Sequence, residues 1–113
     1  MTLVDKLNNE VQFSHNEHRK QYEISYAAED KAAGFTAYVD NEGGRIFYHT
    51  VVGEEYGGRG LASILVKAAL EDTHTAGLTI IPLCPFVKGY LEKHPMEGVR
   101  PGTREDIEII KNL

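Results

Sequence analysis

Hydrophobic and polar positions change their rhythm near the middle of the chain, and the change divides it into strand-like and helix-like halves. In "QYEISYA", Tyr22, Ile24 and Tyr26 alternate with Gln21, Glu23 and Ser25. This period of two predicts a strand with one buried face. A turn at "AEDK" follows, and "AAGFTAYVD" then places Phe35, Ala37 and Val39 on one side. The "DNEGG" cluster after it tolerates positive φ and predicts a hairpin. A short earlier strand is signalled weakly around residues 11–14. "RIFYHTVV", residues 45–52, is aromatic and β-branched on both faces, which predicts a central strand covered on both sides. Simple alternation there puts His49 on the face of Phe47 and Val51.

Beyond residue 60 the period becomes helical. Leu61, Ile64, Leu65, Ala68 and Ala69 form an apolar stripe opposite Lys67, Glu71 and His74. Gly77 is a natural helix stop, and "LTII", residues 78–81, reads as a short buried strand ended by Pro82. A strand, a helix and a second apolar strand form a βαβ unit, so the strands at 45–52 and 78–81 are expected to be parallel. Phe86, Val87, Tyr90 and Leu91 predict a further short helix. A last helix is expected from about Thr103, burying Ile107, Ile110 and Leu113. The predicted class is α/β, with a mixed sheet in which an N-terminal antiparallel meander leads into the βαβ unit.

Composition narrows the function classes. A chain of 113 residues suits one domain, here residues 1–113. No apolar run approaches the ~20 residues of a membrane helix. "MTLVDKLNNE" has neither the basic nor the apolar region of a secretory signal, so a cytoplasmic location and no membrane partner are expected. Cys84 is the single cysteine, which excludes an internal disulfide and a cysteine-rich zinc site. A net charge of -5 argues against nucleic acid as a partner and mildly favours a cationic one. His15 and His18 have metal-pair spacing but no matching third ligand, so they read as solvated loop residues and no metal is expected. His74 and His94 carry no signal beyond a helix surface and a helix end.

The chemistry is concentrated in "VVGEEYGGRGLASILVKAAL", where glycines stand between a strand and a helix. Unpaired N–H groups and the positive end of the dipole make a helix start attractive to anions, and glycines let a phosphate come close. A Walker-type loop requires G-x-x-x-x-G-K-[ST]; Gly53 and Gly58 have the interval, but Arg59 and Gly60 stand in place of the lysine and the hydroxyl. A dinucleotide fingerprint begins at Gly58 and Gly60 but has Ser63 for its last glycine and no acidic residue after "LTII".

The same stretch resembles the acetyl-CoA signature [RQ]-x-x-G-x-[GA] of the GNAT superfamily of acyltransferases, with Gly60 and Ala62 at the last two positions and Gly57 in place of the Arg or Gln. "HTVV" before the loop and "PLCPFVKGYLEKHP" after it are similar to the short, single-domain YjdJ-type branch, although Gly53 stands where that branch usually has proline. The resemblance spans about two thirds of the chain.

This resemblance implies a GNAT-like acyltransferase fold whose two parallel strands splay around the pantetheine arm of acetyl-CoA, with an amine as acceptor. The backbone of Thr50, Val51 and Val52 would pair with the pantetheine amides. Gly57, Gly58, Arg59 and Gly60, with Leu61, Ala62 and Ser63, would form the pyrophosphate cradle, Arg59 adding charge. Three residues are catalytic candidates. Cys84 would take the acetyl group or protonate the departing thiolate, and no activating partner for it is identifiable in the sequence. His49 would accept the amine proton, and Tyr90 would protonate the thiolate. Each also has a plainer role, as a pocket-lining thiol, a hydrogen-bonded histidine or part of a core stripe. Direct attack by the amine is expected. A non-catalytic acyl-CoA-binding or sensing module and a nucleotide-binding protein using the near-Walker loop are the alternatives.

Overall fold

The computed structural model describes residues 3–29 and 31–113; the turn expected at 28–31 includes residue 30, which lies outside the described residues. Its strands are β1 Leu3–Val4, β2 Glu10–Asn16, β3 Gln21–Tyr26, β4 Ala32–Asn41, β5 Gly44–Val52 and β6 Thr79–Pro82. The helices are α1 Leu61–Thr75, α2 Pro85–Lys93 and α3 Arg104–Lys111. One sheet runs β1-β2-β3-β4-β5-β6, antiparallel throughout except for the parallel pair β5 and β6. The expected α/β class, with an antiparallel meander leading into a βαβ unit, is the observed one.

The alternation in β3 survives because only one face of that strand meets the helices. Tyr22, Ile24 and Tyr26 enter a core built with Leu65, Val66, Ala69 and Leu70 of α1, Ile80 of β6 and Val87 of α2. Burial of these side chains is the main force holding the helices to the sheet, at about 1.5–3 kcal/mol for each large apolar residue. The α1 stripe is turned slightly from the expected one: Val66, Leu70 and Thr73 are buried, while Ile64 and Ala68 sit at its edge. Gly77 ends the helix at φ 79°, its N–H donating to His74 O and that of Leu78 to Thr73 O.

Three expectations are corrected. The strand at 45–52 is not central, since β5 lies next to the last strand. It is covered on both faces only over Gly44, Arg45, Ile46 and Phe47, and opens from Tyr48 onward. His49 does not share the face of Phe47. Ala37 pairs with His49 and Tyr38 with Phe47, so Tyr48 is an extra residue in β5. A β-bulge of this kind reverses the alternation after it. Phe47 is buried in the helix-side core, whereas His49 is exposed on the outer face, its ring 5.8 Å from that of Phe35. The third correction concerns α3, which buries Asp106 and leaves Ile107 and Leu113 44% and 70% exposed. Asp106 faces inward because it closes a capping box with Thr103 and pairs with Arg100 at 2.8 Å. The Arg100 guanidinium beside it lowers its pKa to about 2.

His15 also departs from expectation. It lies in β2 rather than in a solvated loop, stacked on Tyr22 at 4.2 Å with Nε2 2.5 Å from the Tyr38 hydroxyl. His18 is exposed in the turn after β2. Beside this group the buried Arg45 donates to Tyr22 Oη at 2.6 Å and pairs with Asp40, while Tyr22 donates to Asp72 of α1. Burial, above all, pushes the Tyr22 phenol up to about 12.

The β1–β2 connection was not foreseen. Asp5 organises it, its Oδ1 accepting from Leu7 and Asn9 N–H and its Oδ2 from the Tyr26 hydroxyl.

Candidate acyl-CoA site

β5 ends at Val52 and passes through Gly53, a 3-10 turn over Glu54–Tyr56 and the glycine cluster into α1. Gly58 and Gly60 have φ of 78° and 75°, a left-handed conformation that L side chains adopt at a cost. Gly60 is the N-cap of α1, and no side chain caps the helix. The first turn contains no acidic residue. Helix geometry leaves the N–H groups of Leu61, Ala62 and Ser63 without partners inside the helix. α3 shows the alternative, for its Thr103 and Asp106 cap it from within the chain. The start of α1 therefore leaves donors and dipole available to an external anion.

Arg59 points elsewhere. Its guanidinium carbon lies 5.4 Å from the Tyr26 ring centroid and 5.5 Å from that of Tyr56. Hydrogen bonding to Tyr26 is the largest influence raising its pKa. Tyr56 in turn donates to Glu29. The arginine of the cluster thus ties the loop to β3.

At the other side of the site the parallel strands separate. Their register runs from Gly44↔Thr79 to Phe47↔Pro82 and stops there. Leu83 and Cys84 N–H both donate to Phe47 O, at 3.0 and 2.9 Å, and turn the chain into α2. Among the described residues no strand pairs with Thr50, Val51 or Val52 on the side toward β6. Their other edge is paired with β4. A strand edge left open in this way can accept an extended ligand.

The gap is lined from the helix side by hydroxyl and thiol groups. Cys84, 5% exposed, donates to Thr50 Oγ1 at 3.3 Å, and Thr50 Oγ1 lies 2.9 Å from Thr36 Oγ1. Cys84 is also the N-cap of α2, followed by Pro85 at the first helical position. Thr36 was not anticipated, although it faces Thr50 across the β4–β5 hairpin. Between α1 and α2 a cleft of about 400 Å³ is lined by Ser63, Phe86, Gly89 and Tyr90, among others. Tyr90 stacks on His94 at 4.5 Å. Burial first, and then the charge of Glu71, raise the Tyr90 pKa.

The structure therefore brings Cys84 to Thr50 and puts Tyr90 in one cleft with Ser63. His49 is on the opposite face of the sheet.

The model of the GCN5-related N-acetyl-transferase family matches residues 21–99. The chain belongs to this family. The match runs from β3 to the residue that bridges Ile80 beyond β6, and so includes the glycine loop, the splay and α2. A solution NMR structure of a GCN5-like candidate N-acetyltransferase from Staphylococcus aureus superposes with a TM-score of 0.62 at 26% identity, covering 82% of this chain and 91% of that one. No curated protein is significantly similar in sequence. Membership of the N-acetyltransferase family supports acyl transfer, and it does not favour the nucleotide-binding reading of the near-Walker loop. No helix among the described residues is long and apolar enough to cross a membrane.

Proposed function

We propose that the protein binds acetyl-CoA and transfers its acetyl group to an amine by direct attack, as a single domain working in the cytoplasm. One observation carries the reading: β5 parts from β6 beside an uncapped, glycine-entered helix start. A thioester arm and a pyrophosphate need these two features a few residues apart. In this reading the open edge of Thr50, Val51 and Val52 pairs with the pantetheine amides, and the N–H groups from Gly58 to Ser63 hold the pyrophosphate.

Cys84 serves as hydrogen-bond donor to the departing sulfur, supported by its place at the splay against Thr50. His49 takes the amine proton on the outer face, where it is exposed. Tyr90 lines the passage. Its raised pKa makes it a poorer acid than an unperturbed phenol, and this favours Cys84 for the proton. The acceptor is a cationic amine before it loses its proton, in keeping with the net charge of -5.

Thermal shift with CoA, acetyl-CoA and ATP tests the binding. A ligand bound only by the native state raises the melting temperature, by about 2.7 kcal/mol of stability at a hundredfold excess over Kd. CoA and acetyl-CoA are expected to stabilise, and ATP is not. A shift with ATP alone refutes the reading.

A further inference from the structure

The glycine loop itself offers the proposed pyrophosphate site no committed side-chain cation: Gly57 stands where the resembling signature has Arg or Gln, and Arg59 lies over Tyr26 and Tyr56. The N-terminal turn brings another one. Lys6 N–H donates to Arg59 O at 3.0 Å, which fixes the β1–β2 turn against the glycine loop. From there the Lys6 side chain runs across Gly60, such that a Cβ built on that glycine would meet Lys6 Cε at 3.1 Å and Cγ at 3.3 Å. Lys6 is exposed, and its ammonium is one bond beyond the Cε that lies against Gly60, the N-cap of α1. The turn holding it is tied down through Asp5. Asp5 is 5% exposed and anchored by Leu7, Asn9 and Tyr26. Lys6 lies before residue 21, outside the family match, so this contact is a property of the chain's own N-terminal segment.

We propose that Lys6 binds the pyrophosphate of CoA, supplying from β1–β2 the charge that the glycine loop lacks at Gly57; this rests on the acyl-CoA reading above. A flexible lysine suits the task, since it is a mobile point charge that can close over a phosphate after the ligand is seated. It adds charge-assisted hydrogen bonds to those of the backbone N–H groups.

The test is calorimetric titration of CoA and dephospho-CoA into wild type, Lys6→Gln and Lys6→Arg at low and high salt. One unit charge a few ångströms from a phosphate in a wet site is worth roughly five- to tenfold in affinity. Lys6→Gln is expected to weaken both ligands by about that factor and to flatten the salt dependence, because a screened attraction has been removed. Lys6→Arg is expected to restore both. An unchanged affinity in Lys6→Gln, with wild type binding CoA, overturns this inference and leaves the acyl-CoA reading intact. Weakening with an unaltered salt dependence overturns it too, by showing that Lys6 only shapes the turn. An effect confined to CoA assigns Lys6 to the 3′-phosphate and overturns the pyrophosphate contact. Absence of CoA binding by wild type removes the acyl-CoA reading itself.

Discussion

Replacing Ser63 with Asp is expected to stabilise the free protein and weaken CoA binding, two effects of opposite sign from one charge. Ser63 is exposed at the third position of α1, whose first turn has no acidic residue and no side-chain cap. A carboxylate there meets the positive end of the dipole, worth about 0.3–1 kcal/mol, and stands four residues before Lys67, worth roughly 0.2–0.5 kcal/mol. Unfolding entropy of about 2.1 cal/mol/K per residue gives ~0.24 kcal/mol/K for 113 residues, so a gain of ~0.5–1.5 kcal/mol raises Tm by about 2–6 °C. Against the pyrophosphate the same charge repels. Two negative charges about 5 Å away in a water-like dielectric cost roughly 1.7 kcal/mol, more than a tenfold loss of affinity. Ser63→Asn, which keeps the shape without the charge, is the control. Thermal melts and CoA titration of the three proteins decide the matter. A variant that is more stable and binds CoA like wild type would show that the phosphates lie elsewhere. One that is less stable would refute the free helix start.

Three further outcomes are expected. Acetyl-CoA, and not ATP, protects Cys84 from alkylation, and Cys84→Ala slows turnover without abolishing it; a kinetically competent acetyl adduct on Cys84, seen by mass spectrometry, would replace direct attack with a covalent route. Asp106→Asn loses roughly 1–2 kcal/mol at neutral pH, discounted for the half-exposed Arg100, and wild type loses the same increment in denaturant melts as pH falls from about 4 to about 2, because a depressed carboxyl stabilises only while ionised. Tyr22→Phe leaves the buried Arg45 one acceptor short and costs about 1–3 kcal/mol. Wild type loses its advantage over that variant between pH ~10 and 12, since a raised phenol stabilises below its unfolded pKa and ceases to do so through its folded one.

What was legible in the sequence is what one period could carry. Tyr22, Ile24 and Tyr26 could be assigned a face because β3 is regular over that stretch, and α1 because fifteen residues repeat one pattern. The glycine loop was legible through its composition. Thr36, Thr50 and Cys84 could not be brought together from the sequence, because the bulge at Tyr48 carries no glycine or proline to announce it and yet moves Thr50 to the side of Phe47. The α3 stripe misled for a different reason. There a carboxylate, satisfied by Arg100 and Thr103, took the inward position that hydrophobicity alone assigns to isoleucine. Lys6 has no motif around it, and its relation to Gly60 exists only once the β1–β2 turn is folded.

The bulge also bears on the order of chemistry. It leaves His49 outside and Thr50, with Cys84 against it, inside, so the candidate proton-handling groups His49 and Cys84 lie on opposite faces of β5. For Cys84 to attack the thioester it must lose its proton, and the group that accepts its hydrogen bond is the Thr50 hydroxyl, which is not a base at neutral pH. A histidine in that place would have served, but His49 faces away. As a donor toward the departing CoA sulfur, Cys84 would need no base; its N-cap position sets the positive end of α2 beside negative charge on either sulfur, so the dipole serves both routes and the missing base is what favours the donor role. In the proposed reading the amine would approach the outer face, where the exposed His49 imidazole would take its proton. On the proposed reading, direct transfer uses both faces as they are built, the imidazole for the amine proton and the Cys84 thiol for the departing sulfur.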